Sequence, residues 1–365
     1  MRSSKITWAV VAGVVVALLA GVGIAIAYSR GSSPSPSPSA PVAAPQASLA
    51  APSASASPAP SPGADLEGPV DLLLLGVDTR VSIPDWQPHS DAIMLLHVES
   101  GLDSAYLYSL PRDLRVQIPA FAKAGFSGGK HKITEAMAYG SRVPGTSTTN
   151  VANGYELLAK TISNYTGVKT IAAGAILNFG GLSKLVDQLG GVDITVDHKV
   201  TSKHRKPNGE MRKLVGGDYV GAQAVYTVGK HHFVGWQAID YARQRYGLPN
   251  GDYDRQRHQR QLVEAILTKA LAQGLTEPAK LQSVIDALGK TLVYIGGEQP
   301  AAYAYALRNL TSAKITMVEL EGGGVGSGSN YLGEQLNSEA RGFLTAVAKN
   351  KIPAYLKAHP KLINK

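Results

Sequence analysis

The sequence predicts an α/β fold, a layered mixed β-sheet flanked by helices, set behind an N-terminal transmembrane helix. Three observations carry this. VDLLLLGV (70–77) and DAIMLLHV (91–98) are nearly continuous apolar runs, the pattern of strands buried in a sheet interior. Segments of helical periodicity alternate with such runs along the folded region, as in layered α/β domains. Ahead of both, residues 6–28 form an apolar, uncharged run about long enough to cross a hydrocarbon core as a helix.

The leader sets the topology. Arg2 and Lys5 precede the apolar run and only Arg30 follows closely, so the positive-inside bias keeps the short tail, 1–5, in the cytoplasm. The alternative is a cleaved signal peptide with Ala25-Ile26-Ala27 as a weak cleavage site; the run is longer than a typical signal core. Residues 29–64 are Ser, Pro and Ala with a single charge, Arg30, and no aromatic residue. Such a stretch cannot bury enough apolar surface to offset its ordering entropy, so it reads as a stiff, disordered linker. A length of 365 residues suggests about two domains. With the leader and linker set apart, one folded extracytoplasmic domain spans 65–365.

Within that domain SAYLYSL (104–110), TIAAGAIL (170–177), VDITVD (192–197) and KITMVEL (314–320) read as further strands. Helices are expected over 151–165, 179–188, a segment ending near Arg245, 254–272 and 338–349. GGGVGSGSN (322–330) lacks the Gly-Lys-Ser/Thr ending of a nucleotide loop and reads as a mobile loop. The adjacent His231 and His232 have poor spacing for one metal and read as surface residues.

Hydrophobic residues make up 44% of the chain, enough for a sizeable core. There is no cysteine, which excludes disulfide staples and thiolate zinc sites. The formal charge of +9 points to an acidic partner. With the basic residues outside the cell, nucleic acid is not that partner.

The first strand delivers Asp78 and Arg80 at its carboxyl end, and the second opens at Asp91. If the two strands are antiparallel neighbours, both carboxylates reach one sheet edge and could hold magnesium, which takes a few carboxylates plus phosphate and water. The alternative is that each Asp caps a turn. In SLPRD the proline fixes the backbone where the strand ends, which would hold Arg112 firmly for phosphate recognition.

The richest segment is YARQRYGLPNGDYDRQRHQRQL (241–262). Leu262, Val263, Ile266, Leu267 and Ala270 make an inward stripe at helical spacing, and stepping back along it reaches His258 and Arg255, with Gln259 beside them. Arg257, Arg260, Glu264 and Thr268 fall on the outer face and read as solvated. Gly247 and Pro249 suggest that the preceding helix stops nearby, letting Arg243 and Arg245 turn toward one pocket. Asp252 could orient an arginine or take a proton. Ser90 and Ser109 sit in no recognisable nucleophile elbow.

Taken in order, LLLLGVDTR (72–80), HSDAIMLLHV (89–98), SLPRDLRVQIP (109–119), KITEAMAYG (132–140), LVDQLGGVDITVD (185–197) and YARQR followed by GDYDRQRHQ resemble the LytR-CpsA-Psr family of wall-polymer ligases. The resemblance implies a membrane-held phosphotransferase. It would move an anionic glycopolymer (teichoic acid, arabinogalactan or capsule) from a polyprenyl-pyrophosphate carrier to peptidoglycan outside the cell, with magnesium. It implies Asp78 and Asp91 as metal carboxylates, with Arg80, Arg112, Lys132, Arg243, Arg245 and Arg255 gripping the pyrophosphate and Gln259 in support. It implies Asp78, Asp91, Arg112 and Asp252 as the catalytic set, with either Asp252 or an aspartate near the metal assisting the acceptor hydroxyl. Two departures stand out: Lys132-Ile133-Thr134-Glu135 where the family often has Lys-Ile/Leu-Asn-Ala, and His258 where an arginine is common. Other readings of the same residues are a polyprenyl-pyrophosphate hydrolase and a non-catalytic wall-binding or regulatory protein.

The topology has a direct test. A reporter enzyme active only after export, fused behind Lys365, is expected to be active, with the full-length chain in the membrane fraction. Full-length protein in the cytosol would overturn the assignment.

Overall fold

The computed structural model describes residues 63, 65–78, 87–273, 283–284, 286–307 and 309–363. The expected membrane helix (6–28), nearly all of the linker (29–64) and Arg80 lie outside them. Among the described residues no helix is long and apolar enough to cross a membrane.

The apolar runs pair into a six-stranded sheet. Its strands are β1 (Val70–Asp78), β2 (His89–Val98), β3 (Ala105–Ser109), β4 (Ala173–Asn178), β5 (Leu292–Gly296) and β6 (Ile315–Val318), in the order β5-β4-β1-β2-β3-β6. β1, β2 and β3 form an antiparallel meander; β4 joins β1 and β6 joins β3 in parallel, and β5 closes one edge antiparallel to β4. The sheet is therefore mixed, as the sequence predicts. β5 has no counterpart in the sequence reading because LVYIG is a half-exposed edge strand without a buried run.

Alternation along the central strands feeds two cores. Leu72, Leu74, Met94 and Leu96 face one side, Leu73, Leu75, Ile93 and Leu95 the other, all buried. Each such side chain contributes about 1.5–3 kcal/mol on burial. Eight helices are described: α1 (Thr134–Gly140), α2 (Val151–Thr166), α3 (Phe179–Gln188), α4 (Gly235–Arg243), α5 (Asp252–Ala272), α6 (Pro300–Ala306), α7 (Ser338–Ala348) and α8 (Ile352–Ala358). α3 to α6 pack on the Leu72 side; α1, α2, α7 and α8 pack on the Leu73 side. Side-chain caps fix two starts: Asn150 accepts from the Asn153 amide before α2, and Asn178 accepts from the Gly181 amide before α3.

Between α3 and α4 the chain runs out and back as three successive two-stranded ribbons. Val192–Val196 pairs with Gly229–Phe233, Val200–Thr201 with Val225–Tyr226, and Lys213–Val215 with Asp218–Val220. His231 is half-buried and His232 exposed on the first ribbon, where His232 reaches Asp193 at 2.7 Å.

Two expectations need correction. Residues 322–330 are not simply a loop: Gly322–Val325 pairs with Gly333–Leu336, and a single 3-10 turn, Gly328–Asn330, lies between them. Glycine there permits close approach, since a Cβ at Gly322 would collide with the Gln335 carbonyl. The second correction concerns α5. Glu264 and Thr268 are exposed as expected, but Arg260 is only 1% exposed and pairs with Glu319 at 3.2 Å. Arg257 is mostly buried and pairs with Asp197 at 2.8 Å and Asp254 at 2.7 Å. The segments carrying Asp197 and Glu319 cover the outer side of the helix's first half, so charge on that side marks ion pairing, not solvation. Burial pushes the Arg260 guanidinium down to about 10 despite Glu319.

Removing one partner of such a pair strands the other, whereas removing both does not. Arg260→Met is therefore expected to cost roughly 3 kcal/mol in urea unfolding. The double variant Arg260→Met/Glu319→Leu should recover most of it. Wild-type stability in the single variant would show the pair to be idle.

Candidate active site

β1 and β2 run antiparallel, so the end of one lies beside the start of the other, with Asp78 opposite His89. The register then slips: Gly76 faces Ala92 but Val77 faces Ser90, which leaves Asp91 as the extra residue of a β-bulge. Simple alternation from Ala92 and Met94 would turn Asp91 to the opposite face from Asp78. A bulge re-aims a side chain, and both carboxylates line one cleft.

The cleft has a volume of about 720 Å³, and its wall includes Asp78, Asp91, Arg112, Arg243, Arg245 and Arg255. Arg112 follows β3 and donates from Nη1 to Asp91 Oδ1 at 2.6 Å. Burial works against its charge, but Asp91, then Asp113 and Asp252, more than compensate and raise its pKa. Arg255, in the first turn of α5, is 5% exposed. It donates to the Asp91 carbonyl at 3.2 Å and pairs with Asp252 at 2.8 Å. Burial lowers its pKa, with Asp252 and Asp91 opposing and Arg112 adding to the shift. α4 ends at Arg243 because Gln244 turns extended and its side chain bonds back to Asp240. That end, slightly earlier than expected, delivers Arg243 and Arg245 to the cleft. Arg243 lies 3.9 Å over the Phe179 ring, where burial lowers its pKa while Asp78 and Asp91 hold it up.

Six of the expected residues thus converge. The others stand behind or below. Lys132 is not in the wall of the cleft; it pairs with Asp113 at 3.3 Å, and Asp113 in turn lies 3.7 Å from Arg112. Asp252 is held between Arg255 and Gln256, and Gln259 lies deeper. Arg80 falls outside the described residues. Arg205, His204, Trp236 and Tyr246 also line the cleft and were not picked out from sequence. The basic run HRK at 204–206 was a usable signal; nothing local marks Trp236 or Tyr246.

Below the cleft, a small apolar cavity of about 60 Å³ lies between the sheet and α3, α4 and α5. Leu74, Ala92, Met94, Leu182 and Leu262 line it, with Gln259. Phe179, Ile239 and Arg243 belong to both spaces.

A separate cluster surrounds His258, which is fully buried and stacks on Tyr241 at 4.2 Å. Ligand-type atoms of Asp197, His198 and His258 lie within 4.8 Å of one another. The Arg257 guanidinium already rests on Asp197 and within 3.3 Å of His198 Nδ1, supplying the positive charge there. Burial lowers the His258 pKa although Asp197 opposes it. Where an arginine is common in the resembling family, this chain therefore holds a neutral-leaning imidazole, packed on Tyr241 and beside Asp197.

The fold is shared with solved structures. One is TagV of Bacillus subtilis (TM-score 0.56, 19% identity, 79% of this chain and 98% of that one). Another is protein gbs0355 of Streptococcus agalactiae (TM-score 0.57, 24% identity, 79% and 88%). A third is TagT bound to LI-WTA (TM-score 0.51, 21% identity, 78% and 90%). Among sequence relatives, Biofilm regulatory protein A of Streptococcus mutans is 28% identical over 230 residues, 62% of this chain and 50% of that protein. Cell wall biosynthesis protein LcpA of Corynebacterium glutamicum is 26% identical over 281 residues, 71% and 51%. The polyisoprenyl-teichoic acid–peptidoglycan teichoic acid transferase TagU of Enterococcus faecalis is 30% identical over 224 residues, 61% and 60%. The matched region spans between half and three-fifths of each of these relatives. The model of the LytR_cpsA_psr family matches residues 43–343, and the chain belongs to that family.

Proposed function

We propose that this protein is a membrane-anchored phosphotransferase that moves an anionic glycopolymer from a polyprenyl-pyrophosphate carrier to a peptidoglycan hydroxyl outside the cell. One observation carries the reading. A cleft lined by five arginines and three aspartates shares a wall with a small apolar cavity, which matches a substrate that is anionic at one point and apolar beside it. The name of the relative TagU agrees with wall-polymer transfer, and that of LcpA with cell wall biosynthesis.

The chemistry follows from where charge develops. Attack on phosphorus builds negative charge on equatorial and leaving oxygens, so fixed cations lower the barrier without a protein nucleophile. Arg112 and Arg255 line the cleft and are held by Asp91 and Asp252, so their orientation is fixed in advance. Arg243, braced on Phe179, stands where the pyrophosphate meets its tail. Asp78 and Asp91 are hard oxygen donors at the cleft edge beside room for phosphate, a donor set that suits magnesium. They would hold the ion, which supplies additional positive charge when bound. Asp252 orients Arg255, so the proton of the incoming hydroxyl passes to a cleft carboxylate instead. A regulatory module without chemistry would have little need to bury Arg255 beside another arginine, against the repulsion between them.

Transfer should be measured with lipid-linked donor and peptidoglycan fragments, separating transferred polymer from polymer merely released into water. Release alone would convert the reading to a hydrolase. Asp91→Ala and excess chelator are each expected to abolish transfer, the variant remaining folded; full activity in chelator would remove the metal from the scheme.

The two sides of α5 should separate rate from stability. Arg255→Lys keeps the charge but loses the planar fork, and is expected to lower transfer roughly ten- to a hundredfold. Arg257→Ala is expected to lower the melting temperature while the folded fraction transfers at the normal rate. A slow but fully stable Arg257→Ala would place Arg257 in the chemistry.

A further inference from the structure

The ribbon that runs out between α3 and α4 ends in a surface with no partner among the described residues. Seven of the ten large hydrophobic residues exposed among the described residues lie between Met211 and Val234. At the tip Leu214 is 58%, Val215 48% and Val220 44% exposed. In an antiparallel pair, opposed residues share a face. Leu214 is opposite Tyr219, while Val215 and Val220 are opposite Asp218 and Lys213, so both faces of the tip carry exposed aliphatic groups.

This exposure belongs to a built element. Gly216 and Gly217 both have positive φ, +58° and +90°, as a tight two-residue hairpin turn requires. Arg212, itself buried, donates to the carbonyls of Lys203, Tyr219 and Gly221 at 2.7 to 3.2 Å and ties the tip to the strand behind it. Charge around the tip is one-sided. Residues 199–232 hold seven Lys and Arg against two acidic residues, a net +5 of the chain's +9. Exposed aliphatic groups on a projecting turn, flanked by lysines, match an interface with hydrocarbon at one depth and anionic head groups at the next.

The tip and the segment behind it also form a wall of the cleft. Tyr219 packs edge-on to His204 at 4.8 Å, and His204, Arg205, Met211 and Tyr219 all line the space that holds the arginines. A ribbon seated in a bilayer surface would therefore bring the cleft to the depth where a lipid-linked pyrophosphate lies.

We propose that the ribbon tip, Leu214, Val215 and Val220 with the surrounding lysines, docks into the surface of an anionic phospholipid bilayer. The orientation this gives the cleft rests on the proposed lipid-linked substrate; the docking itself does not.

The chain has no cysteine, so single-cysteine labelling reports one site cleanly. Full-length protein carrying Leu214→Cys or Val215→Cys, and a control Lys357→Cys on the exposed side of α8, would be labelled with a polarity-sensitive dye. Each would be reconstituted in phosphatidylcholine vesicles with and without phosphatidylglycerol. The expected result is blue-shifted emission at 214 and 215 in the phosphatidylglycerol vesicles, quenched by nitroxides on the acyl chains, with no change at 357. Emission at 214 and 215 that stays solvent-like in both vesicles would overturn the proposal. So would protection that appears only with peptidoglycan fragments or only as protein concentration rises, since the tip would then cover wall polymer or a second copy.

A second measurement ties docking to turnover. Leu214→Glu/Val215→Glu is expected to lower transfer from a vesicle-embedded donor roughly tenfold, through lost apolar burial, with turnover of a short, water-soluble donor unchanged. Equal loss on both donors would overturn it. If the parent protein transfers from neither donor, the proposed function fails, and the dye result still decides the docking.

Discussion

The ion pair between Asp91 and Arg112, 2.6 Å long, ties the start of β2 to the loop after β3 and sets the shape of everything around it. Burial works against the charge of Arg112, Arg243 and Arg255, and the aspartates beside them offset that cost. Asp91 anchors Arg112 by its side chain and Arg255 by its backbone carbonyl, and Asp252 completes the support of Arg255. The arginines are consequently held from behind and presented forward. The phosphate of the proposed substrate would meet donors that need little reorganisation, which is the condition for electrostatic stabilisation to act at the moment of reaction.

That arrangement depends on a single irregularity in the sheet. Without the bulge at Asp91 the two aspartates would sit on opposite faces, and neither the ion pair nor the cleft would close. Strand identity was legible in the sequence because continuous Leu, Val and Ile runs leave little choice. The bulge was not, because nothing in HSDAIM marks an extra residue until the register with β1 is known. The convergence of Asp78, Arg112, Arg243 and Arg255 was legible through the ordered motifs; Trp236 and Tyr246 join the cleft from long-range packing that local patterns do not record.

The outer side of α5 shows the converse error. A helical wheel separates Leu262 and Ile266 correctly from Glu264 and Thr268, yet it assigns Arg257 and Arg260 to water. Polar residues at the start of a helix look alike whether solvent or carboxylate covers them. The covering groups, Asp197 and Glu319, lie 60 and 59 positions away in the chain, beyond the reach of any periodicity. Glycine-rich 322–330 misleads in a related way: the glycines read as freedom, whereas Gly322 serves a tight strand contact.

The cleft and the apolar cavity meet at Arg243 and Phe179, so a molecule occupying both has two points of attachment on one body. Breaking one leaves the other engaged, and the detached end remains at high effective concentration beside its site. On the proposed lipid-linked donor, the phosphate end would rebind many times before the apolar segment beside it leaves the cavity. On that reading, release of the carrier depends on the segment held there and on what solvent or lipid receives it.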